Sequence, residues 1–153
     1  MQGKASVKLK FQKAKSNKDI QNICDYNIDA FSDSPDFNWN MDEIQNEVAE
    51  GWELYSVMVD DEIIAALFFK TDKDTLYTKN TAVKVSYQGS GFSHKIKEYF
   101  EKVGRDKGLK HIIHYCRIDN FRMYSLNESH GYRKTPNKFG PDGQVVEWIK
   151  DLN

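Results

Sequence analysis

The sequence predicts one α/β domain, a mixed and largely antiparallel central sheet flanked by helices. Three observations lead there. Several short runs alternate apolar and polar residues, others repeat apolar residues at helical spacing, and the two kinds interleave along the chain. The 153 residues fit one core and contain no repeat, low-complexity tract or linker. Helices interrupt a largely antiparallel sheet, and one parallel step is expected across the helix at 90–106. The domain is expected to span 1–153, with 1–5 as a flexible tail.

Residues 7–14, VKLKFQKA, alternate apolar and polar and read as a half-buried strand. Ser16 is placed to cap a helix, with Asp19 three residues on resembling a capping box. Ile20, Ile23, Cys24, Ile28 and Phe31 follow on one face. The turn formers of SDSPDFNWN (32–40) end that helix. Asn40 caps a second helix with the face Met41, Ile44 and Val48, and Gly51 stops it. ELYSVMVDDEIIAALFF (53–69) reads as a hairpin about Asp60 and Asp61. TDKD turns the chain again, and TLYTKNTAVKV (75–85) is the next strand.

YQGSGFSHKIKEYFEK then runs a glycine-rich turn straight into a helix over 90–106. Phe92, Ile96, Tyr99, Phe100 and Val103 share one face of it, and Lys95, Lys97, Glu98, Glu101 and Lys102 lie elsewhere. Gly108 ends it. HIIHYCRI (111–118) is a strand and 120–130 a short helix. Residues 132–153 close the chain as a hairpin around GPDG, leaving an open sheet edge after residue 145 that can pair across a dimer.

Composition excludes several classes. Lys plus Arg (22) nearly balances Asp plus Glu (23), so no global field points to nucleic acid or an anionic membrane. No apolar run is long enough to span a bilayer, and the basic start lacks the apolar stretch of a secretory signal. The two cysteines, Cys24 and Cys116, form no close pair, so no metal site is expected and both read as free thiols of a cytoplasmic protein.

The turn raises the chemical question. The first amides of a helix lack intrahelical partners and sit at the positive end of its dipole. Gly89 and Gly91 let a phosphate approach them closely. Taken alone, the turn equally suits an ordinary strand–turn–helix connection. It does not match the dinucleotide fingerprint G-x-G-x-x-G, because Ser93 is followed by His94 and the turn comes after four strands. A nicotinamide-dependent enzyme is therefore the weakest reading.

VKVSYQGSGFS instead resembles the coenzyme-A turn of the GCN5-related N-acetyltransferase (GNAT) superfamily. That motif is Arg or Gln, two residues, Gly, one residue, then Gly or Ala. Here it runs Gln88, Gly89, Ser90, Gly91, Phe92, Ser93, with Ser93 in place of the last small residue. The superfamily also has Asn, ten residues, Gly and an aromatic, which Asn120, Gly131 and Tyr132 reproduce. The element order matches over nearly the whole chain.

The resemblance implies a GNAT-like acyl-CoA N-acyltransferase fold with acetyl-CoA as cofactor. It implies that the backbone of Ala82, Val83 and Val85 bonds the pantetheine arm. The amides of Gln88, Gly89, Ser90, Gly91, Phe92 and Ser93 would hold the pyrophosphate, and Asn120 and Asn127 would line the pantetheine region. The strands 75–85 and 111–118 are expected to splay, and a bulge in the first would fit that role. The implied reaction is direct acetyl transfer to a primary amine of a small molecule or peptide. The amine loses a proton, the carbonyl oxygen gains negative charge that the Val83 amide would stabilise, and the thiolate leaves.

The usual acid is a tyrosine seven residues after the Asn, but this chain has Asn127 there, which cannot act as an acid. Tyr124, one turn earlier, is the candidate replacement; simple packing is its other reading. His114 is the candidate base on intrinsic pKa, although alternation with Ile112 and Cys116 also suits a core histidine. The loop with Asp33, Asp36, Phe31, Phe37 and Trp39 suits a cationic amine or a solvated turn. An alternative function is a coenzyme-A-binding sensor of the same fold with weak or no turnover. Expected partners are the amine substrate alone, with no nucleic acid or membrane, in a monomer or homodimer.

Overall fold

The computed structural model describes residues 8–25, 40–83 and 91–152. The strands are β1 (Lys10–Lys13), β2 (Glu53–Val59), β3 (Glu62–Asp72), β4 (Thr75–Val83), β5 (His111–Arg117), β6 (Arg133–Phe139) and β7 (Val145–Asp151). The helices are α1 (Asn17–Asp25), α2 (Met41–Ala49), α3 (Phe92–Asp106) and α4 (Phe121–Ser129). The strands form one sheet in the order β1-β2-β3-β4-β5-β7-β6. Every pair is antiparallel except β4–β5, the step across α3.

Local chemistry sets the element ends. Ser16 Oγ accepts from the Asp19 amide at 3.2 Å, while the Asp19 carboxylate accepts from the Lys15 amide at 2.8 Å, one residue earlier than in a standard capping box. Asn40 Oδ1 accepts from the Glu43 amide at 2.9 Å and caps α2. β2 and β3 meet in a two-residue turn with Asp60 at a φ of 54°, a conformation that Asp tolerates better than most residues. β3 outruns its expected end at Phe69, because Lys70, Thr71 and Asp72 keep pairing with β4. The expected strand 7–14 is shorter: its ladder spans Lys10–Lys13, and Ala14 adds only a single amide bond to the Leu54 carbonyl. Ile28, Phe31 and the acidic, aromatic loop around Asp33 and Asp36 lie outside the described residues.

One expectation is corrected. The strand after residue 145 is not an edge. β7 lies between β5 and β6, pairing with both, so among the described strands β1 and β6 are the edges. The closing hairpin inserts its second strand, not its first, beside β5.

The two faces of the sheet bury different helices. Phe92, Ile96 and Phe100 of α3 pack with Leu76, Ile112, Cys116, Val146 and Trp148, and Met123 and Tyr124 of α4 join them. On the opposite face Ile20 and Ile23 of α1 and Ile44 of α2 pack with Trp52, Leu54 and Phe68. β3 is covered on both sides, which explains its unbroken apolar run from Ile63 to Phe69.

Candidate active site at a fork in the sheet

The parallel pair β4–β5 holds only from Thr75/His111 to Thr78/His114. Beyond that point β4 continues beside β3 as far as Val83/Ala65, and β5 beside β7 as far as Arg117/Val145. The two strands therefore part after Thr78 and His114, as the sequence led one to expect. The cause is in β4. Ala66 faces Ala82 and Phe68 faces Lys79, so Asn80 and Thr81 stand against the single residue Leu67. That extra residue is a bulge, and bulges bend the strand that carries them. The freed backbone of Ala82 and Val83 borders the gap. Val85, Gln88, Gly89 and Ser90 lie outside the described residues.

At the start of α3, Gly91 sits at a φ of 83° and no side chain among the described residues caps the helix. Glycine adopts this left-handed conformation without the Cβ clash that other residues meet. A Cβ built there would have no described atom within 4 Å. The first amides of α3, those of Phe92, Ser93 and His94, thus begin a helix with no described side-chain cap.

α4 borders the fork from the other strand. Asn120 Oδ1 accepts from the Met123 amide at 3.1 Å, making Asn120 the helix cap. Its Nδ2 is buried and has no partner among the described residues. Asn127, fully buried, likewise leaves both Oδ1 and Nδ2 without a described partner. The helix closes as a Schellman turn: the Tyr132 amide donates to Asn127 O at 2.9 Å and the Gly131 amide to Glu128 O at 3.1 Å. Gly131 has the positive φ, 81°, that this turn requires.

Coenzyme A is the group that the resemblance implies, and the residues present fit it. A bulged strand with free backbone, an uncapped helix start and orphaned buried amides on Asn120 and Asn127 all suit an elongated polar ligand ending in phosphates.

The two candidate catalytic side chains are placed as follows. The Tyr124 hydroxyl donates to Ile118 O at 2.9 Å, and its ring stands edge-on to Phe121 and Trp148. Burial, then Cys116 and Asp119, raise its pKa. His114 is fully buried at the last paired position of β5. Thr78 Oγ1 donates to Ile113 O at 3.2 Å and lies 2.7 Å from His114 Nδ1. Alternation puts His114 with Ile112 and Cys116 on the α3–α4 face.

Two arrangements escaped the sequence. Next to the α3 start, His94 Nδ1 lies 2.9 Å from His130 Nε2, and His130 Nδ1 lies 3.1 Å from Glu101 Oε2. On the opposite face, Tyr115, the first β5 residue past the fork, donates its hydroxyl to Glu147 Oε2 at 3.3 Å. Burial first, then Glu147 and Tyr77, push the Tyr115 pKa well above the usual phenol range. Both arrangements join residues 29 to 36 positions apart, and only the strand register and the helix packing reveal them.

The model of the Acetyltransferase (GNAT) family matches residues 17–132. No curated protein matches the chain. Among solved structures, the ribosomal-protein-S18-alanine N-acetyltransferase of Escherichia coli superposes with a TM-score of 0.75 at 16% identity, covering 95% of this chain and 94% of that one. A Bacillus subtilis acetyltransferase in complex with CoA gives 0.71 at 20% identity, with 95% and 100% covered. A GNAT family acetyltransferase from Elizabethkingia anophelis with acetyl-CoA bound gives 0.67 at 16% identity, with 94% and 98% covered. At such identities the likeness is one of fold. No described helix is long and apolar enough to cross a membrane.

Proposed function

The chain belongs to the acetyltransferase (GNAT) family, which uses acetyl-CoA, and from that premise we propose that it is an acetyl-CoA-dependent N-acetyltransferase acting on a primary amine of a small molecule or peptide. The observation that carries this reading is the fork between β4 and β5 beside the uncapped start of α3. Coenzyme A, when bound, supplies the activated acetyl thioester.

The roles of this chain's residues follow from their chemistry. The first amides of α3, from Gly91 through Phe92 and Ser93, hold phosphate oxygens, as do those of Gln88 to Ser90 before them. The freed backbone of Ala82 and Val83 takes the amide groups of the pantetheine arm in place of a β5 partner, a role the family resemblance extends to Val85. Asn120 Nδ2 donates to the same arm. The Val83 amide stabilises negative charge on the carbonyl oxygen. Asn127 offers a hydrogen bond toward sulfur but no proton, and a thiolate of this kind leaves without a strong acid.

The test is a calorimetric titration with acetyl-CoA, then thiol release against a panel of amines. Binding with amine-dependent release is expected. Binding without release from any amine would favour the coenzyme-A-binding sensor, which the absence of a phenol at Asn127 supports. No binding would remove the acetyltransferase reading.

A further inference from the structure

Glu147 is the only acidic residue among the described ones that is buried, at 8% exposure. Its three hydrogen bonds come from neutral donors: Tyr115 Oη on Oε2, and Thr135 Oγ1 and Asn137 Nδ2 on Oε1, each of the last two at 2.9 Å. The described ion pairs involve other acids, and none includes Glu147. A buried carboxylate whose described donors are all neutral is suited to receive a positive partner.

Position says which partner. Glu147 and Tyr115 are direct cross-strand partners in the β5–β7 ladder. Tyr115 is the first β5 residue freed from β4, so the carboxylate lies one strand from the fork. Both residues face away from α3 and α4, on the side where Tyr77 packs toward α1 and α2. That is the side opposite the α3 start and α4, so a substrate bound there would approach the fork from the face away from the coenzyme. Oε2 accepts from Tyr115 alone and keeps a free lone pair, and the rings of Tyr115 and Tyr77 suit a cation.

We propose that the Tyr115–Glu147 pair is the acceptor site, binding the substrate as an alkylammonium ion, with Glu147 as the base. The inference rests on the acetyltransferase reading. The ammonium N–H bond breaks and its electron pair stays on nitrogen, while the proton goes to Glu147 Oε2. The neutral nitrogen then attacks the thioester carbonyl, the C–N bond forms, the C–S bond breaks with its electron pair on sulfur, and the nitrogen's second proton passes to the departing thiolate to leave a neutral amide and a free thiol. The proton on Glu147 passes to solvent. Tyr115 positions the carboxylate. This supplies the base that the carboxylate-free strand 75–85 lacks.

A purely structural role would also use Glu147. Thr135, Pro136 and Asn137 bulge out of β6 opposite it, and its Oε1 ties both ends of the bulge. Glu147→Gln separates the roles, because an amide oxygen still accepts from Thr135 and Asn137 but the charge is gone. Wild type and E147Q are compared on n-butylamine, spermidine, lysine methyl ester and an alanyl peptide, and on the arylamine p-anisidine, which is already unprotonated near neutral pH. For alkylamines, kcat/KM is expected to fall about 100-fold or more, with little change for p-anisidine. Without coenzyme, the Tyr115 ring signals of wild type should shift on titration with n-butylammonium but not with n-butanol, and those of E147Q with neither. Tyr115→Phe, which keeps the carboxylate, should show a smaller loss of the same selectivity. Equal losses on alkyl and aryl amines, unchanged kinetics, or acetyl-CoA binding with no alkylamine acetylated would each overturn the proposal. Absence of acetyl-CoA binding in wild type would instead sink the acetyltransferase reading beneath it.

Discussion

Asn120, Tyr124 and Asn127 lie within one short helix, yet their polar groups are committed differently. Asn120 divides its amide between capping and an open Nδ2, and Asn127 commits neither of its polar atoms to a described group. Tyr124 gives its only proton to the Ile118 carbonyl in the turn before its own helix. A phenol so engaged, with its pKa raised by burial, is better placed to hold the β5–α4 turn than to protonate a leaving thiolate. Tyr124→Phe should therefore leave turnover and coenzyme affinity near wild type while costing about 1 kcal/mol of stability, the worth of a typical hydrogen bond. Thermal melts and steady-state kinetics check both halves. A large drop in turnover at unchanged coenzyme affinity would make the phenol the acid after all. Legibility at this scale depended on sequence distance. Asn120 was readable through the family's Asn–Gly–aromatic spacing, which spans one short helix, and its role as a cap came with the structure. Glu147 was not, since its importance comes from Tyr115, 32 residues earlier, through the β5–β7 register.

The elements were more legible than their joints. Caps and stops such as Asn40, Gly51, Gly108 and Gly131 act within one turn, and each ends or starts a helix where the sequence indicated. The placement of β7 inside the sheet was not readable, because a hairpin's two strands are equally able to dock on β5. The fork was expected only through the family resemblance, and its cause, the bulge at Asn80 and Thr81, is a matter of register with β3. The start of α3 offers the sharpest test of an element. Gly91→Glu puts a side chain at a φ of 83°, costing about 1–2 kcal/mol for a left-handed residue. It also sets a negative charge into open space beside amides meant for an anion. Coenzyme binding by calorimetry should be lost. Gly91→Ala, with the strain and no charge, should bind more weakly than wild type yet measurably. Unchanged affinity in Gly91→Glu would sink the assignment of the turn.

At the scale of the whole molecule, α3 is fixed to the far edge of the sheet by aromatic rings. The Tyr99 ring stacks on Phe11 of β1 with centroids 3.7 Å apart and planes within 2°, and Tyr55 of β2 stands 6.2 Å away. Tyr55 in turn stacks on Phe69 of β3. This cluster ties the edge strand to the helix that begins the coenzyme site, so its loosening affects the domain as a unit. Burial first, then Tyr55 and Glu53, push the Tyr99 pKa up to about 12 from an ordinary 10.0. Tyr115 and Tyr132 are raised further, both chiefly by burial. A folded-state pKa above the unfolded one means that the folded protein keeps its proton longer. The stability linked to Tyr99 is thus fully present below about pH 10 and is lost as pH rises through about 12. Urea melts between those values should show falling stability, and Tyr99→Phe should make that limb less steep, the remainder coming from Tyr115 and Tyr132, while leaving coenzyme affinity unchanged. A wild-type stability that stays level across the interval would mean that Tyr99 ionises as freely in the folded chain as in the unfolded one, and that its ring is not the tie between β1 and α3 that the stacking implies.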